Sequence, residues 1–158
     1  MVYIDETGID YCHRRYAKSE RGKPAYGAVF GKNHRQYSVI GAYNSRKLKA
    51  PFVFEGAVNT ELFNKWIKGN LLPELEKGQT VIMDNASFHK SADTERLIKE
   101  AGCELLYLPP YSPDLNPIEK VWGIIKSRLR AFQDNTQNLL DNLCFVLTRF
   151  TLNQWLSL

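Results

Sequence analysis

Three acids stand where a carboxylate can do chemistry. Asp5 closes the short β-prone run Val2-Tyr3-Ile4, which Glu6-Thr7-Gly8 then breaks. Asp84 closes the apolar run Thr80-Val81-Ile82-Met83, and Glu119 falls at a helix start, in Asn116-Pro117-Ile118-Glu119. Carboxylate oxygens are hard ligands, suited to Mg²⁺ or Mn²⁺ rather than to zinc. Buried close together they repel one another, and a divalent cation relieves that repulsion. Two such ions about 4 Å apart can activate a nucleophile and stabilise a leaving oxygen in phosphodiester chemistry. Each acid also has a plainer reading. An aspartate before Glu-Thr-Gly or Asn-Ala suits a turn, and Glu119 sits where a capping box places its acid, three residues after a favoured N-cap.

The elements that must position these acids can be read in order. Residues 37–43 partly alternate and predict a strand, and residues 51–54 predict another after the basic turn Arg46-Lys47-Leu48-Lys49. Asn59 is placed as an N-cap, with Val58 and Phe63 as its hydrophobic staple, for a helix ending near Gly69. Residues 80–83 form a short apolar run of the buried, parallel-strand type. Ser91 caps a helix with Leu97, Ile98 and Ala101 on one side, and Gly102 closes it. Residues 104–108 make a further strand, feeding a stiff segment with Pro109, Pro110 and Pro113. Ile118, Val121, Trp122, Ile125 and Leu129 then recur at helical spacing, and a last helix is expected over residues 136–150. Strands first, then helices alternating with strands, imply an α/β fold with a mixed sheet, in which sites gather at the carboxyl ends of strands.

At 158 residues the chain suits one domain, 1–158, with a real core. A formal net charge of +4 permits nucleic-acid binding without requiring it. The apolar runs are too short to span a bilayer as a helix, and MVYIDETG lacks the basic-then-apolar form of a leader. Cys12, Cys103 and Cys144 are odd in number and widely spaced, which indicates neither a disulfide framework nor a zinc site. A reducing cytoplasm is the expected location.

Three stretches together carry a resemblance: VYIDETG, VIMDNASFH and LPPYSPDLNPIEKVW. The chain resembles the catalytic domain of mariner-related bacterial insertion-sequence transposases, the DDE endonucleases. The 34 residues between Asp84 and Glu119 match the spacing characteristic of that superfamily. The resemblance implies a ribonuclease-H-like fold, two Mg²⁺ or Mn²⁺ ions, and Asp5, Asp84 and Glu119 as catalytic and metal-binding residues. Asp5 is expected to bridge both ions. The activity implied is hydrolysis of a phosphodiester at a transposon end, freeing a 3′-hydroxyl that attacks target DNA. A side chain placed by a cap can still bind metal, so the capping reading of Glu119 is compatible with this one.

Further residues follow from the same resemblance. Asn85 and His89 belong to the second stretch, and either can orient a ligand or touch DNA; for His89 an ordinary structural or surface role is placed ahead of that one. Glu6 adjoins the first ligand as an outer or exposed acid. Gly123, Lys126 and Arg130 continue the face of Glu119, either towards DNA phosphates or as helix packing and solvated charge. The basic segment over residues 13–35, with Arg14, Arg15 and Lys18, is a candidate for backbone contacts. Similar transposases carry helix-turn-helix modules ahead of this domain, and Met1 stands four residues before Asp5. The expectation is therefore a chain without those modules, either the second product of a split reading frame, with a separate N-terminal DNA-binding product of the same element as a partner, or a decayed copy, with a homodimer on DNA as the active complex, in a bacterial cytoplasm. A ribonuclease-H-like nuclease of another type and an inert, domesticated DNA-binding module are the alternatives.

Overall fold

The computed structural model describes residues 1–9, 37–110, 112–131 and 138–151. Among these described residues five strands form one mixed sheet in the order β3-β2-β1-β4-β5. They are β1 (Val2–Ile9), β2 (Tyr37–Asn44), β3 (Lys47–Glu55), β4 (Thr80–Met83) and β5 (Glu104–Tyr107). β1 runs antiparallel to β2 and parallel to β4, and β4 runs parallel to β5. β1 is thus the line on which the sheet changes sense.

β1 corrects one expectation. The strand does not break after Asp5 but continues to Ile9, because β2 offers pairs along the whole length, from Tyr3 with Tyr43 to Ile9 with Tyr37. Glu6-Thr7-Gly8 has turn composition, but the ladder bonds outweigh that local preference. Asp5 is therefore a mid-strand residue opposite Gly41. Its parallel neighbour β4 is shorter, and the register of Val2 with Val81 and Tyr3 with Ile82, carried onward, brings Asp84 alongside Asp5.

The β2–β3 hairpin closes through Ser45 and Arg46, both at positive φ, so Lys47 to Lys49 belong to β3 and not to the turn. Two central residues with positive φ match the twist of the flanking strands. A register shift between Ile40 and Ala42, with Ala50 at φ 48°, bends the pair at Gly41.

Helices cover both faces. On one side lie α1 (Thr60–Trp66) and α2 (Ala92–Glu100), with the π turn Ile67–Leu71 and the 3₁₀ turn Leu72–Glu74 continuing α1 past Gly69. Their caps follow the sequence reading: Asn59 Oδ1 accepts from the Leu62 amide at 2.9 Å, and Ser91 Oγ from the Thr94 amide at 3.0 Å. Each such cap is worth about 1 kcal/mol. Ile4, Ile40, Phe63, Trp66, Ile67, Leu71, Val81, Met83 and Ile98 fill this core. On the other side α3 (Ile118–Ala131) and α4 (Leu139–Thr151) bury Val39, Leu48, Ile118, Trp122, Ile125, Leu143 and Leu147. The expected start of α4 near residue 136 lies outside the described residues. Among the described residues no helix is long and apolar enough to cross a membrane.

Candidate active site

Asp5, Asp84 and Glu119 line one cleft of about 400 Å³ with Asn85, Ala86, Leu108, Pro109, Pro110, Ser112, Pro113 and Asn116. Two of the acids come from neighbouring strand positions and the third from the first turn of α3. The Leu108 amide donates to the Met83 carbonyl at 2.9 Å, so the chain leaves β5 on the same sheet edge at which it leaves β4. A 3₁₀ turn, Pro113–Leu115, then leads to Asn116, Pro117 and α3. Ile118 and Trp122 are buried against the sheet, which fixes the start of the helix and leaves Glu119 exposed at its edge.

The capping box expected there does not form. The Asn116 amide donates to the Pro113 carbonyl at 2.9 Å, and the Glu119 amide to the Asn116 main-chain oxygen at 3.2 Å. Asn116 is buried with Oδ1 lacking a partner. Main-chain turns end this helix, so neither the Asn116 side chain nor the Glu119 carboxylate is committed to capping. Asn116 lines the cleft, with its side-chain oxygen buried behind the wall, whereas sequence reasoning took it for a cap.

Asp5 is buried in the sheet, and its Oδ2 accepts from Trp122 Nε1 at 3.0 Å. Burial pushes its carboxyl up to about 7; the charges of Glu6 and Glu119 add to the push, while the Trp122 and Glu6 backbone hydrogen bonds oppose it. A carboxylate so disfavoured is stabilised by any cation that enters.

Asp84 is held differently. Its Oδ1 accepts from the Ala86 amide at 3.0 Å and from His89 Nδ1 at 2.6 Å. The His89 hydrogen bond holds the Asp84 carboxyl below its usual range, against the effect of partial burial. His89 itself is fully buried, its ring between Phe63 and Phe88 at centroid distances of 4.4 and 4.3 Å. Burial works against charge on this imidazole. Hydrogen bonding to Asp84 and the nearby Glu6 carboxylate outweigh it and raise the pKa to about 9. Glu6 Oε2 is 3.4 Å from Nε2, an ion-pair separation at which neither atom completes a directed hydrogen bond. Burial excludes a surface role for His89; its ring packs in the core and also touches Asp84 directly.

Asn85 lines the cleft beside Asp84. Lys126 and Arg130 lie further along α3, half-buried and exposed respectively. Gly123 lies between them and Glu119, exposed, and a β-carbon there would meet nothing within 4 Å, which removes close helix packing as its reason. Arg14, Arg15, Lys18 and the rest of the basic segment lie outside the described residues. Sequence reasoning missed the grip of Trp122 on Asp5. The available signal was that a buried indole N–H needs an acceptor.

The three acids fit a hard divalent cation in donor type, and the charge of Glu119 bears on buried Asp5. They face one cleft without closing into a ready-made cluster: among the described residues no group of three His, Cys, Asp or Glu side chains is drawn tightly enough to hold a metal ion as it stands.

Comparison with known proteins places this arrangement. The chain is 50% identical over 134 residues to the Tc3 transposable-element transposase of Caenorhabditis elegans, covering 79% of this chain and 40% of that protein. It is 30% identical over 126 residues to a 39 kDa protein of insertion element IS630 from Shigella sonnei, covering 77% and 36%. The chain thus spans about two fifths or less of the length of these relatives. Among solved structures, the Mos1 strand transfer complex aligns over 96% of this chain and 46% of its own with a TM-score of 0.72 at 17% identity. The BIV integrase catalytic core aligns over 94% and 80%, with a TM-score of 0.55 at 17% identity. A Mos1 mariner paired-end complex with Mn aligns over 96% and 52%, with a TM-score of 0.58 at 16% identity. These likenesses show the ribonuclease-H-like fold. Residues 1–140, which carry both aspartates, the proline segment and Glu119, match the family described as DDE superfamily endonuclease, and to that family the chain belongs.

Proposed function

We propose that residues 1–158 are one catalytic domain of a transposase, which cuts DNA at transposon ends and joins the freed 3′-hydroxyl to target DNA. The observation that carries this reading is the convergence of Asp5, Asp84 and Glu119 on one cleft. The relatives named for transposable elements and the neighbour containing Mn support it.

Two Mg²⁺ or Mn²⁺ ions, when bound, would supply Lewis-acid activation of the attacking oxygen and charge stabilisation of the leaving one. Asp5, Asp84 and Glu119 would hold the ions, with Asp5, on the strand beside Asp84 and lining the same cleft as Glu119, assigned as the ligand they would have in common. His89 occupies Asp84 Oδ1 and so leaves Oδ2 for the cleft. The wall of Pro109, Pro110 and Pro113 shapes the approach, and Asn85 lines the same cleft, where it can touch either a ligand or the substrate. Gly123, Lys126 and Arg130 offer DNA an open stripe of helix with two cations. Arg14, Arg15 and Lys18 are assigned to phosphate contacts, giving weak, salt-dependent binding with little sequence preference. Recognition of specific ends is assigned to a further DNA-binding unit, a partner product of the same element, and the active assembly to a homodimer acting on DNA in the bacterial cytoplasm.

The test is cleavage of pre-nicked inverted-repeat ends in Mg²⁺ or Mn²⁺. The expected result is ion-dependent strand cleavage that leaves a 3′-hydroxyl and disappears in Asp84→Asn. Cleavage that survives EDTA, or that Asp84→Asn retains, would overturn the reading.

A further inference from the structure

We infer that Trp122 is a positioning residue for Asp5, and that Gly41 is the opening in the sheet that admits it. Three independent observations meet here. Trp122 Nε1 donates to Asp5 Oδ2 at 3.0 Å across 117 residues of sequence, in a fully buried contact. Gly41 is the cross-strand partner of Asp5 in β2. A β-carbon at Gly41 would lie 3.0 Å from Cη2 of Trp122, 3.6 Å from its Cζ2, and 3.0 Å from Cδ1 of Leu48.

The geometry has one economical explanation. Cη2 and Cζ2 of the indole occupy the space over Gly41 where any other residue type would put its β-carbon. With the benzo ring seated there, the N–H of the same indole meets the carboxylate of the cross-strand neighbour on β1. Gly41 is not at positive φ, so no backbone requirement selects glycine; the space above it does. The register shift between Ile40 and Ala42 falls opposite the same glycine, with the extra residue on β3, where Ala50 and Pro51 face Gly41 alone. Trp122 therefore does more than fill the core. By occupying Oδ2 it fixes the torsion of Asp5 and sets which oxygen is offered to the cleft. This is the role that outer hydrogen-bond partners play for metal ligands, where their removal weakens metal binding roughly 10- to 100-fold.

The inference rests on the metal reading for its consequence but not for the contact itself, and the experiment separates the two. Mn²⁺ binding is measured by loss of the free-ion electron paramagnetic resonance signal, in wild type, Trp122→Phe, Gly41→Ala and the double variant. Trp122→Phe keeps an aromatic ring and loses the donor; it should bind Mn²⁺ about 10-fold more weakly. Gly41→Ala should weaken binding on the same order by pushing the indole off Asp5. In the Trp122→Phe background, where no benzo ring reaches over β2, Gly41→Ala should change binding by less than about 2-fold, the mark of two residues acting through one contact. A merely structural Gly41 would add its full effect in both backgrounds. In parallel, exchange of the Trp122 indole proton is followed by NMR without metal, in wild type and Asp5→Ala. Slow exchange that Asp5→Ala accelerates supports the hold on Asp5, even if no chain binds Mn²⁺ and the metal reading falls. Unchanged exchange, or Trp122→Phe binding Mn²⁺ as wild type does, overturns the inference.

Discussion

Nδ1 of His89 and Oδ1 of Asp84 stand 2.6 Å apart, joining a fully buried ring to a carboxylate whose side chain is 47% exposed. The pair bridges the inside of the fold and the cleft. His89→Ala would delete a ring that touches Phe63 and Phe88 and strip Asp84 of its donor. A loss of about 3 kcal/mol is expected in urea unfolding, the scale for removing a buried ring. His89→Asn keeps a donor on the Nδ1 side and should recover part of that loss. An alanine variant as stable as wild type would show that the contact contributes nothing to the fold.

Asp5 gives the ion-free protein a pH dependence of known sign. Its folded pKa, about 7, lies above its value in the unfolded chain, so the folded state holds the proton more tightly. The stability that follows is fully present below about pH 4 and is lost as the pH rises through the folded value. In EDTA, the unfolding free energy of wild type minus that of Asp5→Asn should therefore fall between about pH 4 and 7 and level off above. A difference that stays flat across this window would mean that Asp5 ionises without opposition.

Glu119→Gln separates stability from chemistry. Since no side-chain cap forms at the start of α3, the amide should fold within about 1 kcal/mol of the parent, and removing a charge beside Asp5 favours the ion-free form. Strand cleavage should vanish, because a neutral amide offsets no cation charge. Full cleavage by Glu119→Gln would remove the third acid from the site.

Much of this was legible in the sequence where the signal is local. Asn59 and Ser91 announce their caps, the run before Asp84 is a buried strand, and the apolar stripe of α3 runs from Ile118 to Leu129 as its periodicity predicts. What escaped depends on distant partners. The length of β1 is set by β2, which begins 28 residues after β1 ends at Ile9. Helical periodicity records that Trp122 is apolar and inward, not that its N–H meets Asp5. Glu6 and His89 meet across the sheet face, with no spacing rule to announce them. At Asn116 the composition of a cap was present, but the prolines supplied main-chain turns that left the side chain unused.

Gly123→Ala should stabilise α3 by up to about 1 kcal/mol, as a helix interior prefers alanine and the added carbon meets nothing. If DNA lies along this stripe, the same methyl group should weaken DNA binding while the melting temperature rises. A stabilised variant that binds DNA as before would move the nucleic acid to another face.

Because β4 and β5 are parallel, the chain must leave both at the same edge, and the whole excursion through α2 returns it to where it started. The 34-residue interval between Asp84 and Glu119 is therefore two lengths in series. The first, through α2 and β5, is a closed circuit whose size does not affect the acids, so residues inserted in its outer turns would bulge away harmlessly. The second, from Leu108 to the start of α3, works as a gauge: its few proline-stiffened residues set how far the third acid stands from the first two. Natural variation in the interval should accumulate in the circuit and spare the gauge.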